Sequence, residues 1–258
     1  MSDSLQQRAF QRRASGYDRT FLRDRWPRNQ EWKANAICAA LPVLAADDVV
    51  LELGCGTGQV AGLVLEHIPS RYVGVDLAPA MLSLARSRLA RFGGRVALRE
   101  AAAAQLPLGE GEAAAAFGVD VLHHVDDIEA ALRELHRVLR PGATAFFLEG
   151  NPLFPLNALI AVRAEERGLL RSRPKNYEQW FRTAGFDVEV RPAGLFTPPG
   201  PARAARLLDA TDRLFARTPG VRALGIFHAI TAVRGMFNDG STGVPSQRRH
   251  HRGKGDEG

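Results

Sequence analysis

Apolar positions follow two alternating rhythms along this chain. Short continuous runs read as buried strands: Val49 to Leu53, Arg71 to Asp76, Arg95 to Arg99, Ala113 to Val119, Ala143 to Glu149, Phe186 to Val190 and Phe227 to Val233. Between them apolar residues recur at helical spacing. Trp32 to Leu41, Gln59 to His67, Pro79 to Phe92 and Tyr177 to Ala184 read as helices, as does the stretch carrying Ile128, Ala131, Leu132, Leu135 and Leu139. Punctuation agrees: Pro79 stands near a helix start, Asp126 or Asp127 and Asn176 are candidate N-caps, and Gly93-Gly94, Pro141-Gly142 and Gly185 are stops. Strands alternating with helices predict an α/β fold, a mostly parallel sheet wound with helices on both faces.

Two stretches break the alternation. Residues 151–175 carry Pro152, Pro155 and the apolar run Leu156 to Val162. Residues 191–225 open near Pro198-Pro199 and predict an amphipathic helix with Leu207, Leu208, Leu214 and Phe215 on one side. Long segments after strand ends in such sheets commonly build a substrate pocket, so both are expected to form a lid.

The first strand leads into the densest signal. Glu52-Leu53-Gly54-Cys55-Gly56-Thr57-Gly58 is an acid, then glycines two apart, before a helix. A strand, tight glycine turn and helix start place backbone N–H groups against a nucleotide-like ligand. A dinucleotide fingerprint needs a third glycine one residue later, and position 59 is Gln, which argues against a nicotinamide-dependent oxidoreductase. About 20 residues on, the second strand ends in Asp76. A carboxylate there can accept hydrogen bonds from both hydroxyls of a ribose.

This order closely resembles the class I S-adenosylmethionine-dependent methyltransferases, in their small-molecule, type 11-like branch. Leu106-Pro107-Leu108, Leu122-His123-His124-Val125, Leu139-Arg140-Pro141-Gly142 and Glu149-Gly150-Asn151-Pro152 match further segments. The resemblance covers residues 34–190 and extends to the last strand. It implies a Rossmann-like, doubly wound, seven-stranded sheet with helical lid insertions. The chain is then expected to divide into an N-terminal helical cap over 1–33, a methyltransferase domain over 34–238 and, from its composition, a disordered basic tail over 239–258. The implied cofactor is S-adenosyl-L-methionine, held by Glu52, Gly54, Gly56, Gly58, Asp76 and Leu77, with Tyr17 over its amino-acid end. His123 is then the candidate general base and Glu149 its orienter or an acceptor-binding group. The histidine pair can equally be read as part of a loop-to-helix turn, and Tyr17 as a packed helix residue. The chain also departs from the pattern. Ala102 stands where relatives carry an acid for the adenine amino group, and Ala113-Ala114 replace a Phe-Asp pair.

Composition narrows the partners. The chain has 258 residues, 45% of them hydrophobic, and a net charge of +6, which fits a globular protein with a full core. No apolar run nears the roughly 18 residues of a membrane span, and Met1 to Arg13 is too polar for a secretory signal. Two cysteines, Cys38 and Cys55, make no disulfide framework. A cytoplasmic location is the simplest expectation. Residues 1–33 hold eight Arg and Lys against four acids. A solvated helix face is favoured over a nucleic-acid or membrane partner. The Gly-, Arg- and His-rich tail reads as disordered, with His250 and His251 solvated rather than metal-bound. The expected partner is a small, fairly apolar methyl acceptor. The alternative is a methyltransferase-like fold with weak or no cofactor binding, serving as an interaction or regulatory subunit.

Overall fold

The computed structural model describes residues 8, 11, 27–154, 157–158, 164–194 and 225–235. Tyr17, the expected helix within 195–224 and the tail lie outside them. In chain order the helices are α1 (Pro27–Ala40), α2 (Gln59–Val64), α3 (Pro79–Leu89), α4 (Ile128–Val138) and α5 (Pro174–Thr183). The strands are β1 (Val49–Leu53), β2 (Arg71–Asp76), β3 (Val96–Glu100), β4 (Ala113–Val119), β5 (Leu139–Gly150), β6 (Phe186–Ala193) and β7 (Phe227–Arg234). They form one seven-stranded sheet ordered β3-β2-β1-β4-β5-β7-β6. β7 runs antiparallel to both β5 and β6, and the other pairings are parallel.

All five residues of β1 are buried, as a central strand covered on both faces requires. Burial of one such aliphatic side chain contributes roughly 1.5–3 kcal/mol. One core packs Ile37 of α1, Val64 of α2, Leu82 and Leu89 of α3 against Phe117, Leu148 and Phe227. The other packs Leu132 and Leu135 of α4 and Tyr177 and Phe181 of α5 against Leu51 and Phe147. β4 forms despite its alanine run because it hydrogen-bonds to β1 on one side and β5 on the other. Ala113, Ala115 and Ala116 are fully buried, and these small residues leave room for the large side chains of β5 and α4.

Some boundaries differ from the sequence expectation for local reasons. α1 begins at Pro27 and runs across position 33. α4 stops at Val138, and Pro141-Gly142 lies inside β5, in an irregularity of the β4–β5 pairing. Asp127, not Asp126, caps α4, its Oδ1 accepting from the Ala130 N–H at 2.9 Å. Asn176 does not cap α5. Arg173 holds that position, and the Asn176 amide donates back to the Arg171 carbonyl at 2.8 Å. No helix among the described residues is long and apolar enough to cross a membrane.

Because the β4 alanines set the inter-strand volume, Ala116→Leu should destabilise the protein by about 1–3 kcal/mol, read as a lower midpoint in urea at an unchanged slope.

Candidate active site

The carboxyl ends of β1, β2, β4 and β5 lie side by side and carry the predicted site residues. The β1–α2 turn is left-handed at Gly54, with φ 66°. A Cβ there would sit 2.5 Å from Cγ2 of Val121, so only glycine lets the post-β4 loop close on the turn. Gly56 also has positive φ, at 51°, but a Cβ there would meet nothing within 4 Å. The turn is thus supported from below and open above. Gly58 caps α2 in the same left-handed conformation.

Asp76 reaches under this turn. Its Oδ2 accepts from the Gly56 N–H and its Oδ1 from the Ala78 N–H, both at 2.9 Å. Burial raises its pKa, partly offset by those N–H donors. Leu77 follows it, half-buried. Each Asp76 oxygen keeps a lone pair beside the open space over Gly56, which suits a ribose diol. Glu52 lies deeper, 3% exposed, and accepts from the Tyr72 hydroxyl. Burial pushes its carboxyl up to about 8, so at pH 7 it is mostly neutral and supports the turn from the core. The adenine side matches the sequence departure. Residues 101–104 contain no acid, and Glu100, the register partner of Asp76, is exposed. The remaining residues fit an adenosyl ligand: a ribose acceptor, an open glycine turn and apolar Leu106 and Leu108 nearby in the core.

The second half of the site is organised by Glu149. Its carboxylate is fully buried. Oε1 accepts from the N–H groups of Val121 and Leu122 at 2.9 and 2.8 Å. Oε2 lies 2.7 Å from Nδ1 of His123. The structure therefore brings His123 and Glu149 into direct contact, as their strand-end positions suggested. The His124 ring lies against that of His123, tilted by 43° with centroids 4.0 Å apart. The 3₁₀ turn Ala164–Arg171 covers the loop: a Cβ on Gly168 would fall 1.7 Å from the His123 carbonyl oxygen. Part of the 151–175 insertion thus packs directly on the candidate base.

Four further residues join this cluster without having been singled out in the sequence. The Tyr177 hydroxyl donates to Ser172 Oγ at 2.9 Å and stands 3.5 Å from Glu149 Oε2. His228 pairs with Glu149 in the β5–β7 register. Burial lowers its pKa to about 4, so it is neutral at pH 7. Asp120, directly after β4, is the sole non-glycine with positive φ among the described residues, at 51°. Aspartate tolerates this region better than most residues, and such conformations concentrate at functional sites. Lys33 of α1, 2% exposed, places Nζ 3.7 Å from Asp120 Oδ2 and 5.2 Å from the Phe227 ring centroid. A signal for Asp120 existed: an acid directly follows β4 much as Asp76 ends β2. Among the described residues no cluster of His, Cys, Asp and Glu could hold a metal ion.

Comparison with known proteins accords with this geometry. Residues 50–142 match a family described as a methyltransferase domain. Over 125 residues the chain is 38% identical to a demethylmenaquinone methyltransferase of Thermus thermophilus, covering 47% of this chain and 54% of that one. Over 134 residues it is 33% identical to a ubiquinone/menaquinone biosynthesis C-methyltransferase of Syntrophotalea carbinolica, covering 52% and 55%. The chain spans about half the length of the curated relatives it matches. Among solved structures, a methyltransferase from Thermotoga maritima, described as a possible histamine N-methyltransferase, superposes with a TM-score of 0.63. It shares 22% identity over 89% of this chain and 99% of its own. That likeness confirms the methyltransferase fold.

The open glycine turn and the buried acid beneath it each give a test. Gly56→Val fills the open space and strains φ, so S-adenosylhomocysteine binding should vanish in calorimetry at a stability cost of only about 1–3 kcal/mol. Undiminished binding would place the ligand elsewhere. Glu52 binds a proton more tightly folded than unfolded, so its contribution is complete below pH 4.5 and lost as pH rises towards 8. Glu52→Gln should melt near wild type at pH 4 and increasingly above it as the pH is raised to 9.

Proposed function

We propose that this protein transfers a methyl group from S-adenosyl-L-methionine to a small, fairly apolar acceptor bearing an acidic hydroxyl, of hydroquinone type. The observation that carries this reading is the 2.7 Å contact of His123 Nδ1 with Glu149, beside a loop that packs on the glycine turn. Glu149 already accepts two backbone N–H groups and is placed to accept a third donor, Nδ1–H. That bond selects the tautomer with its basic lone pair on Nε2. The acceptor class is supported by relatives named for quinone methylation, which align over half their length.

S-adenosylmethionine, when bound, supplies a methyl group on a sulfonium. The turn at Gly54 to Gly58, with Asp76 and Leu77, holds the adenosyl portion, and Tyr17 is proposed for its amino-acid end. His123 takes the hydroxyl proton of the acceptor on Nε2, which makes the oxygen and the adjacent ring carbon nucleophilic. Glu149 stabilises the imidazolium that forms, as a buried carboxylate does for a general base. Tyr177 and the apolar lining exclude water. The N-terminal cap (1–33) and the insertions 151–175 and 191–225 are proposed as the lid over the acceptor in a domain spanning 34–238. A purely regulatory role is less well supported, because the ribose acceptor, the open turn and the proton-accepting pair are all intact.

The test is conversion of reduced 2-prenyl-1,4-naphthoquinone, with gain of one methyl group followed by mass spectrometry. General-base assistance is worth roughly 10²–10⁴-fold. His123→Ala should lower kcat by that factor with little change in S-adenosylhomocysteine affinity. A fully active His123→Ala enzyme would remove His123 from the chemistry.

A further inference from the structure

Lys33 is a buried cation on α1, yet its ion-pair partner lies beyond β4, at the edge where the candidate base is held. The link between them is short. Asp120 donates its N–H to the Leu148 carbonyl at 2.8 Å, and its carboxylate meets Lys33 Nζ at 3.7 Å. Its left-handed φ turns the chain sharply. The next two residues, Val121 and Leu122, give their N–H groups to Glu149, and the third is His123. Val121 also rests against Gly54 of the glycine turn. The conformation of Asp120 therefore sets the direction in which Val121, Leu122 and His123 leave the sheet.

We infer that Lys33 is a positioning residue for methyl transfer. Its ammonium anchors the Asp120 carboxylate and so fixes the loop that presents His123 to the acceptor and Val121 to the glycine turn. A buried ion pair is poor evidence for stability, because desolvation offsets much of the attraction. Its best-attested use is to specify one arrangement over others. Here the arrangement specified is the left-handed turn at Asp120. The anchor comes from α1, outside the matched 50–142 region, so this helix also fixes the geometry of the loop. Phe227 beneath the ammonium adds a cation–π contact from β7. Lys33 is thus held between the post-β4 loop and the start of the last strand.

The inference rests on the reading of His123 proposed above, and its test separates the two. Amide hydrogen exchange is measured on the full chain as wild type, Lys33→Met and Lys33→Arg. Val121 and Leu122 report the loop, while Leu51 and Val73 report the sheet. In Lys33→Met the loop amides should exchange roughly tenfold faster or more, with the sheet amides unchanged. Lys33→Arg should restore protection. Turnover of reduced 2-prenyl-1,4-naphthoquinone should fall in Lys33→Met at constant S-adenosylhomocysteine affinity. Unchanged loop exchange, or equal acceleration in loop and sheet, overturns the inference. If Lys33→Met does not fold, Lys33→Met/Asp120→Asn removes both charges and is read the same way. The exchange result needs no acceptor. A wild type that methylates nothing would defeat the proposed activity while leaving the anchoring role of Lys33 decided by the amides.

Discussion

A carboxylate with no exposed surface must have its charge met by donors, and Glu149 imposes that requirement on everything around it. A buried, unpaired charge would cost many kcal/mol. Two backbone N–H groups of the post-β4 loop and the imidazole of His123 meet it. The consequence is architectural as well as chemical. The loop must fold back over the end of β5, which brings Val121 against Gly54 and seats the candidate base beside the glycine turn. One interaction thus couples the half of the site suited to an adenosyl ligand with the half suited to proton transfer.

Much of this was legible in the chain because it depends on local pattern. The strand–glycine–helix order, the acid ending β2 and the alternation of elements are short-range signals, and the structure realises each of them. The β4 alanines are weak strand formers, but position between two paired strands overrides propensity. The sequence placed His123 and Glu149 at neighbouring strand ends, yet their hydrogen bond depends on a register no local pattern states. Lys33, Asp120, Tyr177 and His228 were harder still. Each looks ordinary in its own window and becomes notable only once α1, α5 and β7 pack around the end of β5. Asn176 shows the opposite error: a good capping residue type, displaced from the cap because Pro174 starts the helix earlier.

The departures from the family pattern are informative in the same way. The alanines at 101–104 leave the adenine side without an acid, while Asp76 and the glycine turn remain fitted to a ribose. A lost charge-assisted hydrogen bond is worth roughly 1.5–3 kcal/mol, so the consequence falls on affinity rather than on the geometry of transfer. The 3₁₀ turn over His123, by contrast, is built tightly against the loop, with Gly168 at a contact that no side chain would permit. The acceptor side is therefore the more constrained half of the site.

A crystal structure of the protein with S-adenosylhomocysteine tests the central claim most directly. The ribose hydroxyls are expected on Asp76, with the ligand running over Gly56 and its sulfur facing the His123 side of the post-β4 loop. A ligand bound away from Asp76, or one whose sulfur points away from His123 and Glu149, would contradict it.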